Sequence, residues 1–227
     1  AWCTSNINLA DGNWHYVAFS FQSGVLDGTK LYIDGSWKTD VIITVNNQTV
    51  GVAIAAGATS SMQNFNGLID EVRIYNYART ADEILLDYQA GLATHFGPSG
   101  KTCSEDPASC MDYGLAGYWS FDEGKGGIAN DKSGNGNTGK LGNGTASAQP
   151  KWTQGKSSGA LQFDGKDDYV DAGNGASLNI TNAITIEAWV KYTGDGTDEP
   201  RFITKEGYRK GYSLRRTKDG NLWFVLG

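Results

Sequence analysis

Three cysteines, four prolines, two histidines and two methionines are all that 227 residues contain of those types. Each scarcity removes a chemistry. Cys103 and Cys110 bracket the polar stretch TCSEDPASC, and with no His at ligand spacing this is a poor zinc site. Only 19% of residues are charged and the formal net charge is −6, so the clustered Lys and Arg that phosphates demand are missing and nucleic acid is no partner. The one basic cluster, Arg209-Lys210 with Arg215-Arg216, falls on an expected strand and its turn and reads as a solvated strand face. No window approaches the ~20 consecutive apolar residues that a membrane helix requires. There is no signal peptide and no initiator Met, so a chain starting at Ala1 reads as a processed or excised piece.

What the chain does hold is glycine and aromatic rings. Thirty-one Gly point to many tight turns between short strands, and seven Trp, eleven Tyr and eight Phe supply core volume. The length suits one large β-sandwich or two small domains.

Strand patterns dominate. Trp14 to Phe21 alternates in aromatic and β-branched residues, and Lys30 to Gly35 runs into an Asp-Gly turn. Val50 to Ile54 and Gly67 to Tyr75 follow. In the latter, strand parity places Leu68, Asp70, Val72 and Ile74 on one face, so Asp70 points with an apolar set. Thr80 with Glu83 makes a capping box, and Ile84, Leu85 and Tyr88 an apolar stripe, predicting one helix from Ala81 to Gln89. Residues 94–116 lack periodicity and read as a linker. Beyond it come strands at Tyr118 to Phe121, Ala160 to Phe163, Tyr169 to Asp171, Ile184 to Tyr192, Arg201 to Thr204, Gly211 to Arg215 and Asn221 to Leu226, with a long Gly/Asn loop from Gly124 to Gly144. About a dozen short strands and one helix give an all-β sandwich.

The stretches DGNWHYVAFSF, LYIDG and NGLIDEVRIYNYARTADEI resemble the second half of a laminin G-like (concanavalin A-like) jelly roll. LAGYWSFDEGKG, LQFDGKDDYVDAG, AITIEAWVKY and GYSLRRTKDGNLWFVL resemble the first half of the same fold. The resemblance covers nearly everything outside the linker and implies an antiparallel jelly-roll β-sandwich with its halves in permuted order. Residues 1–93 would be the C-terminal half of a module, 94–116 the linker and 117–227 the N-terminal half of the next.

A half-sandwich exposes an apolar sheet face and unpaired edges, which is an aggregation hazard. The halves can close on each other within one chain, complement halves of neighbouring copies or repeats, or belong to a longer tandem array. A non-catalytic extracellular module for structure or adhesion ranks first, because the split order itself demands a partner half. A carbohydrate-binding module closed as a permuted single domain is the alternative.

The resemblance implies a structural calcium ion near the Asp131-to-Gly139 loop and the Asp of the closing strand. It would be held by Asp131, Asn135 and Asp70, with Glu123 beside them. For glycans, Trp37, Trp152, Tyr192 and Tyr208 lie in or beside expected turns, where rings could stack on sugars. An enzyme is not expected. No ExDxE row lies on any strand, and neither His15 nor His95 has a Ser or Cys partner legible in the sequence. A Cys103–Cys110 disulfide would place the chain in an oxidising, exported setting; Cys3 has no obvious local partner. Asn47, Asn143 and Asn179 head glycosylation sequons.

Overall fold

Residues 2–26, 28–40, 50–57, 64–90, 112–194, 199–207 and 210–226 are described by the computed structural model of the chain. They build two eight-stranded antiparallel sheets and one helix. From the amino end come β1 (Trp2–Asn8), β2 (His15–Gln22), β3 (Thr29–Ile33), β4 (Ser36–Asp40), β5 (Ala53–Ile54), β6 (Asn66–Tyr75) and helix α1 (Ala81–Ala90). After residue 111 follow β7 (Leu115–Trp119), β8 (Ile128–Ala129), β9 (Gly139–Leu141), β10 (Lys151–Gln154), β11 (Gly159–Asp164) and β12 (Val170–Asp171). The last four are β13 (Ala183–Tyr192), β14 (Arg201–Gly207), β15 (Lys210–Arg216) and β16 (Asn221–Leu226).

Strands of the two segments interleave. The first sheet runs β1-β16-β15-β14-β5-β12-β9-β8, so β5 lies between two strands from the far side of the sequence. The second runs β10-β11-β6-β13-β2-β3-β4, with β7 also pairing β6. Here β13 is flanked on both edges by strands of the other segment, β2 and β6. The two segments therefore close into one sandwich within the chain. β2 and β16 lie in opposite sheets of that sandwich, with the rings of Phe19 and Phe224 stacked face to face between them.

Period-two alternation decides which side chains fill the core. Val17, Phe19 and Phe21 of β2 and Ile184, Ile186, Ala188 and Val190 of β13 point between the sheets, where Trp119, Phe163, Phe202 and Leu214 meet them. The opposite face of the second sheet is buried too. Tyr16, Ala18, Tyr32 and Trp189 lie under Ile84 of α1. The expected capping box starts that helix: the Thr80 N–H donates to Glu83 Oε2 (2.7 Å) and the Glu83 N–H to Thr80 Oγ1 (3.3 Å).

One ionic cluster fastens α1 to the sheet. Arg79 donates to Asp87 and, at 3.1–3.2 Å, to both oxygens of Glu187, while Tyr16 donates to Glu187 (2.7 Å) and Tyr75 to Asp87 (3.2 Å). One guanidinium faces two buried carboxylates. Burial pushes Glu187 up, against the pull of Arg79 and with the push of Asp87. Burial also raises Asp87, but Arg79 outweighs it and keeps that carboxyl below its usual value.

Four expectations change. β6 does not keep strict alternation: Ile69, Val72 and Ile74 face the core and Leu68 does not, because a bulge near Asp70 and Glu71 shifts the register and puts Glu71 at φ 55°. β7 starts at Leu115, inside the segment expected to be irregular, because pairing with Tyr75 extends it. The long loop before Gly144 holds the short strands β8 and β9. β1, a polar run without alternation, pairs with β16. Cys103, Cys110, His95, Tyr208 and the Asn47 sequon lie outside the described residues, as does the side chain of Cys3.

Two outcomes are expected. Residues 1–92 and 115–227 produced separately should each lack a cooperative melt, and mixing them should restore one; a stable, well-packed fragment would refute the interlock. Arg79→Met should cost about 3–5 kcal/mol in a denaturant titration, since it strands two buried carboxylates. Glu187→Gln, removing charge but little volume, should cost clearly less.

Candidate functional site

The Asp131 loop is held by its own backbone. Asp131 Oδ1 accepts the N–H groups of Tyr118 and Ser133 (both 2.9 Å), and Oδ2 accepts that of Asn137 (2.8 Å). Both carboxylate oxygens thus serve the turn. Asn135 Nδ2 donates to the carbonyls of Leu115 (2.8 Å) and Ala116 (3.3 Å), tying the loop to β7. Glu123 caps the neighbouring turn, its Oε1 accepting from the Asn130 N–H at 2.8 Å.

Asp70 is in a different state. On one edge of β6, residues 66–69 pair with β11 and residues 72–75 with β7, so the bulge falls where the neighbour changes. The gap is filled by the turn before β11: Asp70 Oδ2 accepts the Ser157 N–H (2.9 Å), and Asp122 Oδ1 accepts that of Gly159 (3.1 Å). A Cβ at Gly155 would stand 2.5 Å from Asp70 Oδ2, so only glycine lets the turn approach so closely. Asp70 Oδ1 is buried without a hydrogen-bond partner, and so is Glu123 Oε2. Burial, with the charges of Glu71 and Asp122, pushes the Asp70 carboxyl up to about 7.

These donors test the calcium expectation. The orphaned oxygen of Asp70, buried beside the charges of Glu71 and Asp122, suits a hard cation, and Glu123 carries one orphaned oxygen of its own. Asp131 fits it poorly, its oxygens being taken by three amides. Among the described residues the structure does not gather Asp70, Asp131 and Glu123 into one carboxylate trio; the trio it does gather is Asp164, Asp167 and Asp168.

The expected sugar-stacking aromatics scatter. Trp37 is exposed on the edge strand β4. Trp152 is half-buried against the core, its Nε1 donating to the Gly126 carbonyl (2.8 Å). Tyr192 is a correction: it belongs to the core, packed on Phe65, because the alternation of β13 turns it inward. His15 lies between Asp34 (2.9 Å) and Asp11 (3.0 Å); its hydrogen bond to Asp34 is the largest influence and holds the imidazole above its ordinary value.

A cavity of about 490 Å³ opens elsewhere, where β5 meets β12. Its size is that of small-molecule sites, roughly 300–1,000 Å³. Gly51, Val52, Ala53, Ala56 and Gly57 line one side with Asn64. Asn143, Ala148, Asp167, Tyr169 and Asp171 complete it from the other segment. The joint is short and well tied: Val170 pairs Ile54, Asp171 pairs Ala53, and the Val52 N–H donates to the Gly173 carbonyl at 2.7 Å. Val170 points into the core, so its neighbours Tyr169 and Asp171 turn the other way, and Asp167 joins the cavity from the bend before β12. The acidic and aromatic run Asp167 to Asp171 was the missed signal, hidden because Asp167-Asp168 reads as an adjacent pair on opposite faces. Burial, then the Asp171 charge, raises the Tyr169 phenol, which stays a hydrogen-bond donor. Two carboxylates, two amides, one phenol ring and a floor of small residues can accept and donate to several hydroxyls while offering an apolar face to a ring.

Among the described residues no helix is long and apolar enough to cross a membrane. No curated protein and no solved structure matches the chain. A family model does: that of the laminin G type, described as the concanavalin A-like lectin/glucanases superfamily, matches residues 1–85 and 164–227, more than half of the chain. Both matched segments pair within the one antiparallel sandwich, and the chain belongs to the laminin G-like family of the concanavalin A-like superfamily.

Proposed function

We propose that this protein is a non-catalytic carbohydrate-binding module, working outside the cell or at its surface, with its ligand in the cavity between β5 and β12. The family carries the coarse statement, a lectin-like or adhesion module. The lining of Asp167, Tyr169, Asp171, Asn64 and Asn143 around small residues supports the finer one. Sugar hydroxyls pair with carboxylate and amide oxygens, and a sugar's C–H face packs on the Tyr169 ring. Glycan-array screening followed by calorimetry checks this. Tyr169→Ala should weaken any array hit at least tenfold with the melting temperature nearly unchanged, and Trp37→Ala should leave it intact. A hit lost in Trp37→Ala and kept in Tyr169→Ala would move the site to β4.

A calcium ion beside Asp70 belongs to this reading as a structural element, with Glu123 as a further donor. In calcium-free protein the Asp70 carboxyl, raised to about 7, keeps its proton while the unfolded chain has lost it. Stability therefore falls as pH rises from about 4 to about 7, by on the order of a few kcal/mol. Calcium should restore it, by about 2.7 kcal/mol at a hundredfold excess over Kd. Asp70→Asn should flatten the pH profile and abolish the calcium response. Melting curves indifferent to both chelator and pH would refute the ion.

A second reading rests on the interlock of β5, β6 and β13. Strands that close one chain can equally complete a neighbouring copy, which would make an adhesive or structural filament. Sedimentation over a hundredfold concentration range separates the two: a constant monomer favours the closed module, growing particles the assembly.

A further inference from the structure

We infer that the cavity between β5 and β12 selects sugars bearing a free amino group, over neutral and over acidic ones. This rests on the carbohydrate reading above and narrows its ligand class. The charged side chains of the described lining are Asp167 and Asp171, both carboxylates; no Lys, Arg or His is among them. Asp171 spends one oxygen on the Gly173 N–H (2.9 Å), which fixes its rotamer and leaves the other for a ligand. The carboxylate of Asp167 has oxygens of Asp164 and Asp168 within 4.8 Å, so the rim adds negative charge beyond the lining itself.

Among the described residues no lysine forms an ion pair with Asp167 or Asp171. Lys205 is held by the Val50 carbonyl and Asn174 Oδ1 (both 2.5 Å). Lys140 lies opposite Asp171 on β9 and Lys151 acts on Asp168 from β10, but both are exposed in solvent, as is Lys166 on the turn whose N–H bonds Asp164 (2.9 Å). An ammonium is a three-donor cation, and the cavity offers it carboxylate and amide oxygens together. A neutral hydroxyl in the same place gains the hydrogen bond without the charge. A carboxylated or sulfated sugar meets repulsion. Tyr169 and the glycine and alanine floor hold the ring that carries the amine, which distinguishes an amino sugar from a bare cation.

Calorimetric titration of the full chain with four oligosaccharides of equal length supplies the test: fully deacetylated chitosan, its N-acetylated form, a β-1,4-glucan and an oligogalacturonide. The deacetylated oligomer should bind at least tenfold more tightly than the glucan, about 1.4 kcal/mol, with the oligogalacturonide weakest. Asp167→Asn should cut that ratio below threefold. Asp219→Asn makes the same change in net charge in the β15–β16 turn and should leave the ratio intact. Equal affinity for the amine and the glucan overturns the selectivity and leaves carbohydrate binding standing, whereas silence toward all four removes both. A lysine tripeptide binding as tightly as the amino sugar, or a ratio lost in Asp219→Asn, also overturns it, since a plain cation effect would then suffice.

Discussion

β13 cannot be a stable strand by itself. Seven of its ten residues in succession, Ile184 to Val190, are buried, so both faces need cover and both edges need partners. β2 and β6 supply the edges, α1 supplies one cover and the first sheet the other. All of β2, β6 and α1 come from the segment before residue 91, while β13 comes from beyond residue 111. The permuted order thus has one physical consequence: neither segment has a core until both are present. Parallel logic holds for β5, two residues long and set between β14 and β12. So short a strand contributes little alone, and its place is fixed by the strands around it.

Legibility in the sequence followed the strength of local signals. Alternation in β2 and β13 and the Thr80–Glu83 box are period and capping rules acting within a few residues, and the folded chain obeys them. Asp70 was legible as an anomaly without its cause. Parity put a carboxylate among apolar residues; the bulge, visible only once β11 and β7 share an edge of β6, explains it. β1 was illegible because WCTSNIN carries no alternation, and its strand state comes from pairing with β16. Tertiary pairing overrides weak local preference in such segments.

The cavity was hidden for a similar reason. Its walls are separated by about a hundred residues of chain, and only the β5–β12 joint brings Ala53 against Asp171. The aromatic rings that looked exposed were judged by proximity to turns, which does not fix where a side chain points. Tyr192 shows the difference: it ends a strand, yet the alternation of β13 sends it inward to Phe65 and beneath Arg216. Tyr169 also lies beside a turn, but Val170 takes the inward position next to it.

The acids of this chain show how structural and functional charges part company. Buried carboxylates cost several kcal/mol unless charge or hydrogen bonds compensate. Asp131 is compensated by three amides and Asp87 by Arg79, and both are spent on holding the fold. Glu187 is compensated by Arg79 and by accepting from Tyr16. Asp70 accepts the Ser157 N–H on one oxygen and has no partner on the other, at the one place where β6 changes neighbours. Asp167 and Asp171 avoid the cost by facing an open cavity instead of the core. Compensation within the chain is therefore fullest at Asp131, and incomplete at Asp70, at Glu123 and in the cavity. Those are the positions from which a cation or a ligand has most to gain, because the fold has left their oxygens unmatched.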